Sequence, residues 1–245
     1  MSTSASRTAK PVKHVEPASK SNRPQPRPGR KVRAQTSKTY HHGNLRESLL
    51  LAAEATLAER GVHGTTLRDV AKAAGVSHAA PYHHFASLND LLAAVAERGF
   101  IALGDAMQAA SFTPDTHERL LQIGQAYVRC ARAHPARFRL MFAPQLAGVA
   151  SYPTLKAASD RAFVLLMTAA CSHDSVNGPE LALTGWSLSH GLSNLLIDGA
   201  LDHVPGALQD PDAMVRQLTL RALGPVATGS RATKPAVAKR ARKAS

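Results

Sequence analysis

The segment over residues 65–85, TTLRDVAKAAGVSHAAPYHHF, constrains the fold of this chain more than any other. Its apolar residues recur at helical spacing and predict a first helix that Thr66 caps and Gly75 ends. A second helix is expected over about residues 78–84, with Ser77 as its cap. A turn containing Gly between two short helices is typical of a helix-turn-helix unit, whose second helix enters a DNA groove.

Pro81 lies inside that second helix and makes it unusual. Proline lacks the N–H that should already be bonded there, and its ring crowds the preceding turn, so we expect a bent or tight helix. The base edges that such a helix would contact are left open. An ordinary α-hairpin in a helical bundle is the alternative, and the spacing of Ala71, Gly75 and Ser77 disfavours it.

Both flanks of this unit predict further helices. Upstream, an amphipathic helix should end at Gly61. Its apolar face consists of Leu45, Leu49, Ala52, Ala53, Thr56 and Leu57. Downstream, Ser87 and Asp90 have the spacing of a capping box and open a long helix that reaches about Ala110.

Helical periodicity continues through the rest of the chain. Thr113 and Pro114 are expected to cap and open the next helix. Its buried stripe comprises Leu120, Leu121, Ile123, Tyr127 and Val128. Further helices are expected over about residues 136–142, 155–171, 179–201 and 211–223. Because no alternating strand pattern of useful length occurs, the sequence predicts an all-α fold.

The basic charge of the chain lies at its two ends. The 245 residues carry a formal net charge of +13, from 30 Lys and Arg against 17 Asp and Glu. Residues 1–40 hold ten basic residues and one acid, and residues 228–245 hold six basic residues and no acid, so the part between them is close to neutral. Both ends have few large apolar residues to offset the entropy of ordering, and we expect them to be disordered. Such segments could contact phosphates without sequence preference, or only solvate the protein.

Several classes of protein do not fit this sequence. No run approaches about 18 apolar residues, so we expect no membrane span. The N-terminus lacks the apolar core of a secretory signal. The two cysteines, Cys130 and Cys171, cannot form a disulfide framework and suit a reducing compartment. We therefore expect a cytoplasmic protein.

The run over about residues 40–100 resembles the N-terminal DNA-binding domain of TetR-family transcriptional regulators. The segment TGWSLSHGL, which contains Trp186, His190 and Gly191, resembles the W…HG signature of one C-terminal ligand and dimer domain of that family. The resemblance implies four segments in chain order. They are a disordered basic arm at 1–39, a DNA-binding domain at 40–100 with its helix-turn-helix at about 66–85, a helical bundle for ligand binding and dimerisation at 101–224, and a disordered basic tail at 225–245.

Candidate DNA contacts come from the basic arm, from the segment before the first helix, from the start of the supporting helix and from the exposed side of the second helix. They are Arg30, Lys31, Arg33, Tyr40, His42, Thr65, Thr66, Arg68, Ser77, His78, Ala79, Tyr82 and His83. Tyr82 could reach a phosphate or a thymine methyl, with a core aromatic as the alternative. We expect His83 near the phosphates and His84 packed with Phe85 against the first helix. The adjacent histidines before the first helix lack partners at metal-ligand spacing, so phosphate contact or a solvated loop is favoured over a metal.

The resemblance places a ligand cavity and a dimer interface in the C-terminal domain. The candidate residues there are Tyr127, Cys130, His134, Trp186, His190, Gly191 and Asn194. Trp186 and His190 share a helix face, and Gly191 could let another helix approach closely; ordinary packing within one subunit is the alternative. Cys130 and His134 also share a face, where a core thiol and a helix-end His are favoured over a metal or sensing site. Leu195, Leu196 and Leu201 would add apolar area to the interface.

These features predict a DNA-binding protein, and the resemblance implies a sequence-specific regulator that binds a palindromic double-stranded DNA operator as a homodimer. The resemblance implies control by an unidentified small-molecule effector, and repression as the outcome. The sequence predicts no metal or other cofactor, no membrane partner and no catalytic residues. Two alternatives stay open. One is a nucleoid-associated protein that binds DNA through its basic tails, and the other is an enzyme built on the helical body, although no nucleophile–base set or Gly-rich phosphate loop is found.

Overall fold

The computed structural model describes residues 45–146, 148, 151–205 and 209–224. All regular structure in those ranges is helical, which confirms the predicted all-α fold. Both basic ends of the chain lie outside the described residues. So do five of the candidate DNA contacts, namely Arg30, Lys31, Arg33, Tyr40 and His42.

Eight α-helices follow one another along the described chain. Their bounds are α1 Leu45–Arg60, α2 Leu67–Ala74, α3 Leu88–Ala110, α4 Thr116–Ala133, α5 Pro135–Met141, α6 Pro153–His173, α7 Gly178–Ile197 and α8 Pro211–Leu223. Two 3₁₀ helices, Ala80–His83 and Pro144–Leu146, lie between α2 and α3 and between α5 and α6. We call α1, α2 and the first 3₁₀ helix the head, and α3 to α8 the body. None of these described helices is long and apolar enough to cross a lipid bilayer.

Helix α2 has the capped ends that the sequence predicts. The hydroxyl of Thr66 accepts from the backbone N–H of Asp69 at 3.2 Å and donates to its carboxylate at 2.5 Å. At the other end Gly75 has a φ of 71°, a left-handed conformation that Gly adopts without steric cost. The N–H of Val76 then bonds to the carbonyl of Ala71 at 3.0 Å and closes the turn.

The second helix of the unit differs from the prediction. It is a short 3₁₀ helix over Ala80–His83, and Ser77 makes no side-chain cap. Pro81 has no N–H to donate to the carbonyl of Ser77, so the α-helical bond at that point cannot form. Three N–H groups of this segment bond instead to carbonyls three residues back, at 3.0 to 3.2 Å. The expectation of a tight helix is confirmed, and the expectation of an α-helix capped by Ser77 is wrong.

Helix α4 begins later than the sequence predicts. Its cap is Asp115, rather than Thr113 or Pro114. The carboxylate of Asp115 accepts two backbone N–H groups of the first turn, at 2.9 and 3.1 Å, and so satisfies donors that have no partner inside the helix.

Helix α7 ends earlier than the sequence predicts. It stops at Ile197 rather than Leu201, because Gly199 has a φ of 69°. The N–H of Ala200 reaches back to the carbonyl of Leu195 at 3.0 Å, a bond that ends many helices after a left-handed residue. Leu201 therefore lies in the loop after the helix.

Helix α3 joins the head and the body in one hydrophobic core. It packs against α1 of the head and against α4, α5 and α6 of the body. Its buried residues include Leu91 and Val95 near the start and Leu103 and Met107 near the end, all of them in a core that spans both parts. The predicted stripe of α4 is likewise buried over its whole length. Position and tilt of the head are therefore set by packing that continues into the body.

Candidate DNA-binding surface and ligand cavity

The first 3₁₀ helix carries Tyr82 on its outside. The Tyr82 side chain is 61% exposed, which excludes the alternative of a core aromatic. Its neighbours Pro81 and Phe85 are buried and anchor the segment. The guanidinium of Arg46 on α1 lies 5.5 Å from the centroid of the Phe85 ring, within range of a cation–π contact. The segment is therefore held against α1 while Tyr82 faces solvent.

Most of the other candidates in the head share this exposure. They come from the start of α2 and from the turn that leads into the 3₁₀ helix. The exposed candidates are Thr66, Arg68, Ser77, His78, Ala79 and His83. Their guanidinium, hydroxyl and imidazole groups are hydrogen-bond donors suited to phosphate oxygens, and the small Ala79 side chain leaves room for close approach of the backbone.

Thr65 does not belong to this exposed set. Its side chain is 2% exposed, and its hydroxyl donates to the carbonyl of Gly61 at 2.8 Å. The Thr65 side chain is therefore not offered to DNA, and the prediction that Thr65 contacts DNA at the start of α2 is left to its backbone. The exposed hydroxyl of Thr66 is engaged by Asp69, and this hydrogen bond lowers the pKa of the Asp69 carboxyl. Arg60 pairs with the same carboxylate at 2.8 Å, which ties the end of α1 to α2.

His84 also differs from the prediction. It is exposed while Phe85 is buried, and their ring centroids lie 6.5 Å apart. His84 follows the last residue of the 3₁₀ helix, and its side chain stays open to solvent although its ring lies beside that of Phe85. Phe85 alone packs against the first helix.

The body encloses a cavity of about 490 Å³. Helices α3 to α7 and the second 3₁₀ helix all contribute to its wall. Apart from Tyr127, Ser159 and Asp160, the side chains that line it are apolar, and aromatic rings from four helices are among them. This volume and lining are typical of small-molecule sites. Of the ligand candidates from the sequence, Tyr127 and Trp186 line the cavity.

Tyr127, Trp186 and His190 form a hydrogen-bonded group at this wall. The Tyr127 hydroxyl oxygen lies 2.9 Å from His190 Nδ1, and Trp186 Nε1 donates to the same oxygen at 3.4 Å. Burial raises the pKa of Tyr127 and lowers the pKa of His190. The phenol therefore keeps its proton, the imidazole is neutral near pH 7, and the whole group is uncharged.

Aromatic rings surround His190 on its other sides. The centroid of its imidazole lies 4.6 Å from the ring of Phe142 and 5.3 Å from that of Phe138. Phe142 lines the cavity as well, whereas His190 and Asn194 line a separate cleft beside the head. The Asn194 amide donates to the carbonyl of His190 at 3.0 Å. The prediction that His190 and Asn194 contact a ligand in the main cavity is therefore not supported, and His190 adjoins that cavity through its contacts with Tyr127 and Phe142.

Cys130 and His134 lie apart from the main cavity. They line a narrow gap with Arg137 and Met141, so the prediction of ligand contact is not supported for them. Burial raises the pKa of the Cys130 thiol, which stays protonated near neutral pH. Within the described ranges, no three His, Cys, Asp or Glu side chains lie together as metal ligands would.

Gly191 lies on the outer face of α7. A Cβ placed at Gly191 would meet no atom within 4 Å, so no other helix of the described chain packs against it. Leu183, Ser187 and Leu195 fall on the same face at intervals of four residues. Leu183 and Leu195 are 51% and 43% exposed. We call Leu183, Ser187, Gly191 and Leu195 the α7 outer row.

Two sets of polar contacts join the head to the body. In the first set, Arg98 on α3 donates to the carboxylate of Glu47 on α1 at 2.7 Å. The carboxylate of Glu54 on α1 lies 3.7 Å from Arg98 on α3 and 3.5 Å from Arg137 on α5. In the loop after α1, His63 Nε2 lies 3.2 Å from Gln145 Nε2 in the second 3₁₀ helix. Sequence analysis missed both sets, because charge and polarity do not reveal a partner far away in the chain.

The segment that carries these contacts also forms part of the cavity wall. Arg137 belongs to α5, whose last residue Met141 lines the cavity together with the following Phe142. Sequence analysis assigned no role in a cavity to these residues or to Phe100 and Phe163. Their apolar periodicity marks them as core, and periodicity does not distinguish a packed core from the wall of a cavity.

Comparison with known families matches both parts of the chain. A family model described as bacterial regulatory proteins, tetR family, matches residues 49–95. A second, described as tetracyclin repressor-like, C-terminal domain, matches residues 120–222. The first covers most of the head and the start of α3, and the second covers α4 to α8.

Individual relatives agree with these matches. The HTH-type transcriptional repressor KstR2 of Mycobacterium tuberculosis is 31% identical over 118 residues, which are 47% of this chain and 58% of the relative. The HTH-type transcriptional activator FasR of Mycolicibacterium smegmatis is 31% identical over 128 residues, 49% of this chain and 58% of the relative. A solved structure of a protein with unknown function from Rhodococcus sp. RHA1 is 32% identical, with a TM-score of 0.61, over 74% of this chain and 95% of that one.

The alignments thus span somewhat more than half the length of the two curated relatives. The head and the body match the same kind of protein, so the class is a helix-turn-helix regulator with an attached helical domain. The chain belongs to the TetR family of bacterial regulatory proteins.

Proposed function

We propose that this chain is a homodimeric, ligand-responsive transcriptional repressor that binds a palindromic DNA operator. The observation that carries the proposal is the exposed Tyr82 on a segment anchored by the buried Pro81 and Phe85, inside a head that matches the tetR family. Tyr82 is rigid and amphipathic, so it can meet a phosphate or the methyl group of a thymine at small entropic cost. The exposed donors around it would position the head on the DNA backbone.

The α7 outer row supports dimerisation. Two exposed leucines flank a serine and a glycine, and the space above Gly191 is open. A helix of a second copy could approach closely there and bury the leucines. A twofold dimer would present two heads to a DNA site of the same symmetry, which is why we propose a palindromic operator.

Ligand control would act through α5 and the segment that follows it. Met141 and Phe142 line the cavity, Arg137 on the same helix pairs with Glu54 of the head, and Gln145 contacts His63. A ligand that fits one position of this segment better than another shifts the population of head orientations. The affinity for the operator then changes. The size of that change follows from the difference between the ligand affinities of the two positions.

The direction of control is proposed as repression. The relatives include a named repressor and a named activator. Repression requires only that the dimer occupy its operator and release it when ligand binds. The nucleoid-associated and enzymatic alternatives are not favoured, because both parts of the chain match a family of DNA-binding regulators that is not generally enzymatic.

The test is selection of DNA from a random library by the full-length chain. Binding curves are then measured on the selected duplex and on a random duplex, at two salt concentrations. We expect the selected site to be palindromic and to bind about 10³-fold or more tightly than random DNA. Equal affinities at both salt concentrations would overturn the proposal in favour of sequence-independent binding. A reporter gene placed after the selected site shows the direction, since repression lowers its expression.

A further inference from the structure

We propose that the cavity takes an uncharged, hydrocarbon-rich molecule that carries a hydroxyl group, and that it discriminates against ligands with a charged end. The inference rests on the proposed ligand-responsive function and names the chemical class of the ligand. Three features of the wall carry it: its lack of free cations, its hydrogen-bonding group and its apolar surface.

No Lys, Arg or His side chain is among the described residues that line the cavity. The Lys and Arg residues of the flanking helices α5 and α6 have carboxylate partners. These pairs are Arg137 with Glu54, Arg139 with Asp198, Lys156 with Asp160 and Arg161 with Asp105. A carboxylate or phosphate taken into this cavity would lose its hydration and find no free counter-charge. The free-energy cost of losing hydration is far larger for an ion than for a neutral hydroxyl.

Among the described residues that line the cavity, the one charged side chain is an acid. Asp160 is half-exposed, lies at the cavity wall and is held by Lys156 at 2.5 Å. An anionic ligand gains no attraction there, because the ammonium of Lys156 is already paired with the Asp160 carboxylate. A cationic ligand gains little, because Lys156 already balances that charge.

The hydroxyl of Tyr127 is the polar group buried deepest in the wall. Its oxygen already contacts His190 Nδ1 and accepts a long bond from Trp186. If Tyr127 donates to His190, the oxygen can still accept one bond; if His190 donates, the phenol proton is free to donate. A ligand hydroxyl can both donate and accept, so it satisfies Tyr127 in either tautomer. An ether or a ketone can only accept, and a protonated amine can only donate, so each of them satisfies Tyr127 in only one tautomer.

The rest of the wall suits a hydrocarbon. Rings of Phe100, Phe142 and Phe163 line the cavity together with Trp186, and the Phe163 and Trp186 rings meet edge to face at 5.8 Å. Burial of hydrocarbon against such surfaces is favourable by about 25 cal/mol per Å². Affinity would come from this apolar contact, and orientation from the hydroxyl at Tyr127.

The chain offers a built-in reporter for the test. Trp186 is its only tryptophan, so intrinsic fluorescence reports on the cavity. The full-length protein is titrated with 1-dodecanol, dodecanoate and dodecylammonium, which share one hydrocarbon chain and differ in the charge of the head group. We expect 1-dodecanol to bind at least about tenfold more tightly than either ion. Equal or tighter binding of dodecanoate or dodecylammonium would overturn the inference, and so would the lack of a saturable signal with all three.

A variant isolates the role of the hydroxyl. Tyr127→Phe should weaken 1-dodecanol about three- to tenfold and leave 1-chlorododecane unchanged, because only the alcohol uses the phenol. The matched control is Tyr152→Phe, a half-buried tyrosine that does not line the cavity, which should change neither affinity. Unchanged binding of 1-dodecanol to Tyr127→Phe would overturn the assignment of the hydroxyl to Tyr127.

The outcome is separable from that of the proposed function. DNA selection is done without ligand, and the fluorescence titration is done without DNA. A preference for the alcohol together with no selected operator would overturn the regulatory proposal and support the ligand class. A selected operator together with equal binding of the three probes would support the regulatory proposal and overturn the inferred ligand class.

Discussion

Thr65 and Thr66 are adjacent and chemically alike, yet the structure gives them opposite environments. Thr66 points its hydroxyl at the first turn of α2, where unpaired N–H groups need an acceptor. Thr65, one residue earlier, is turned inward and bonds to the carbonyl of Gly61 at the end of α1. A single helix start therefore uses one threonine as a cap and the other to close the preceding turn. Only Thr66 has an exposed side chain at this helix start.

Tyr82 is the residue on which DNA recognition most depends. Replacement by alanine should weaken binding to the selected operator by about tenfold, or roughly 1.4 kcal/mol, because the ring and its hydroxyl leave the interface. Fluorescence anisotropy of labelled operator measures the affinity. Tyr82→Phe is the matched control, since it keeps the ring and loses only the hydroxyl.

Both variants should leave the fold and the dimer unchanged, because Tyr82 is 61% exposed and packs into no core. Sedimentation velocity checks this point. An operator affinity of Tyr82→Ala equal to that of the unmodified chain would remove Tyr82 from the contact surface.

Helix α5 is the element that joins the cavity to the head. It is only seven residues long, and Gly99 of α3 lets it approach closely, since a Cβ at Gly99 would lie 2.5 Å from the sulfur of Met141. The same helix places Arg137 against Glu54 of α1. A short, tightly packed helix moves as a rigid body. A displacement of α5 at the cavity therefore also displaces Arg137, which pairs with Glu54.

Two arginines of α5 give a matched test of this contact. Arg137→Ala should lower the free energy of unfolding by about 1–3 kcal/mol, because it removes a nearly buried partner of Glu54. The Arg137 and Glu54 side chains are 12% and 20% exposed. Arg139→Ala breaks a pair with Asp198 in which both side chains are about half exposed, and should cost less than about 1 kcal/mol.

Urea unfolding of the two variants measures the difference. We expect Arg137→Ala to have a lower free energy of unfolding than Arg139→Ala. Equal stability of the two would show that the contact between α5 and α1 contributes no more than a surface ion pair.

The net positive charge of the whole chain is concentrated in its two terminal segments. The chain between residues 40 and 228 is close to neutral, and the basic surplus lies toward the two ends. This nearly neutral part of the chain attracts DNA little, apart from the contacts that the head makes. The basic ends lie outside the described residues, and a deletion tests what the N-terminal one contributes to DNA binding.

Deletion of residues 1–33 should reduce the dependence of operator affinity on salt. This segment holds nine Lys and Arg, and each phosphate contact contributes about 0.9 to the slope of log K against log salt concentration. We expect the slope to fall by about 1 to 3. Deletion of residues 1–20, which holds four Lys and Arg, is the control, and should have the smaller effect because it keeps Arg30, Lys31 and Arg33. A slope that stays the same after the longer deletion would mean that the arm does not contact DNA.

Leu183→Glu should convert the dimer into a monomer without unfolding it. Leu183 is half exposed in the α7 outer row, so a charge costs little in one protomer and much in a buried interface. Sedimentation equilibrium measures the mass. Val176→Glu is the control, because Val176 is 81% exposed in the loop before α7 and its replacement should leave the dimer intact. A dimeric Leu183→Glu variant would place the interface elsewhere.

Some sequence-based predictions failed where a local rule had a strong competitor. Thr113 and Pro114 have the pattern of a helix start. The carboxylate of Asp115 instead accepts from two backbone N–H groups and caps α4. An α-helix was expected after Ser77 although Pro81 removes one of its bonds. Cys130 and His134 were expected on one helix face, but His134 follows the last residue of α4 and has non-helical backbone angles.

The sequence by itself determined the helices, most of their ends and the helix-turn-helix unit. Caps such as Thr66, the left-handed Gly75 and helical periodicity act between residues a few positions apart, so a linear pattern records them. Only the tertiary structure decided which side chains surround the cavity and which contacts tie it to the head. Tyr127 and His190 are 63 residues apart in the chain, and their bond depends on how α4 and α7 cross. Crossing geometry comes from the packing of whole helix faces, which no short stretch of sequence specifies.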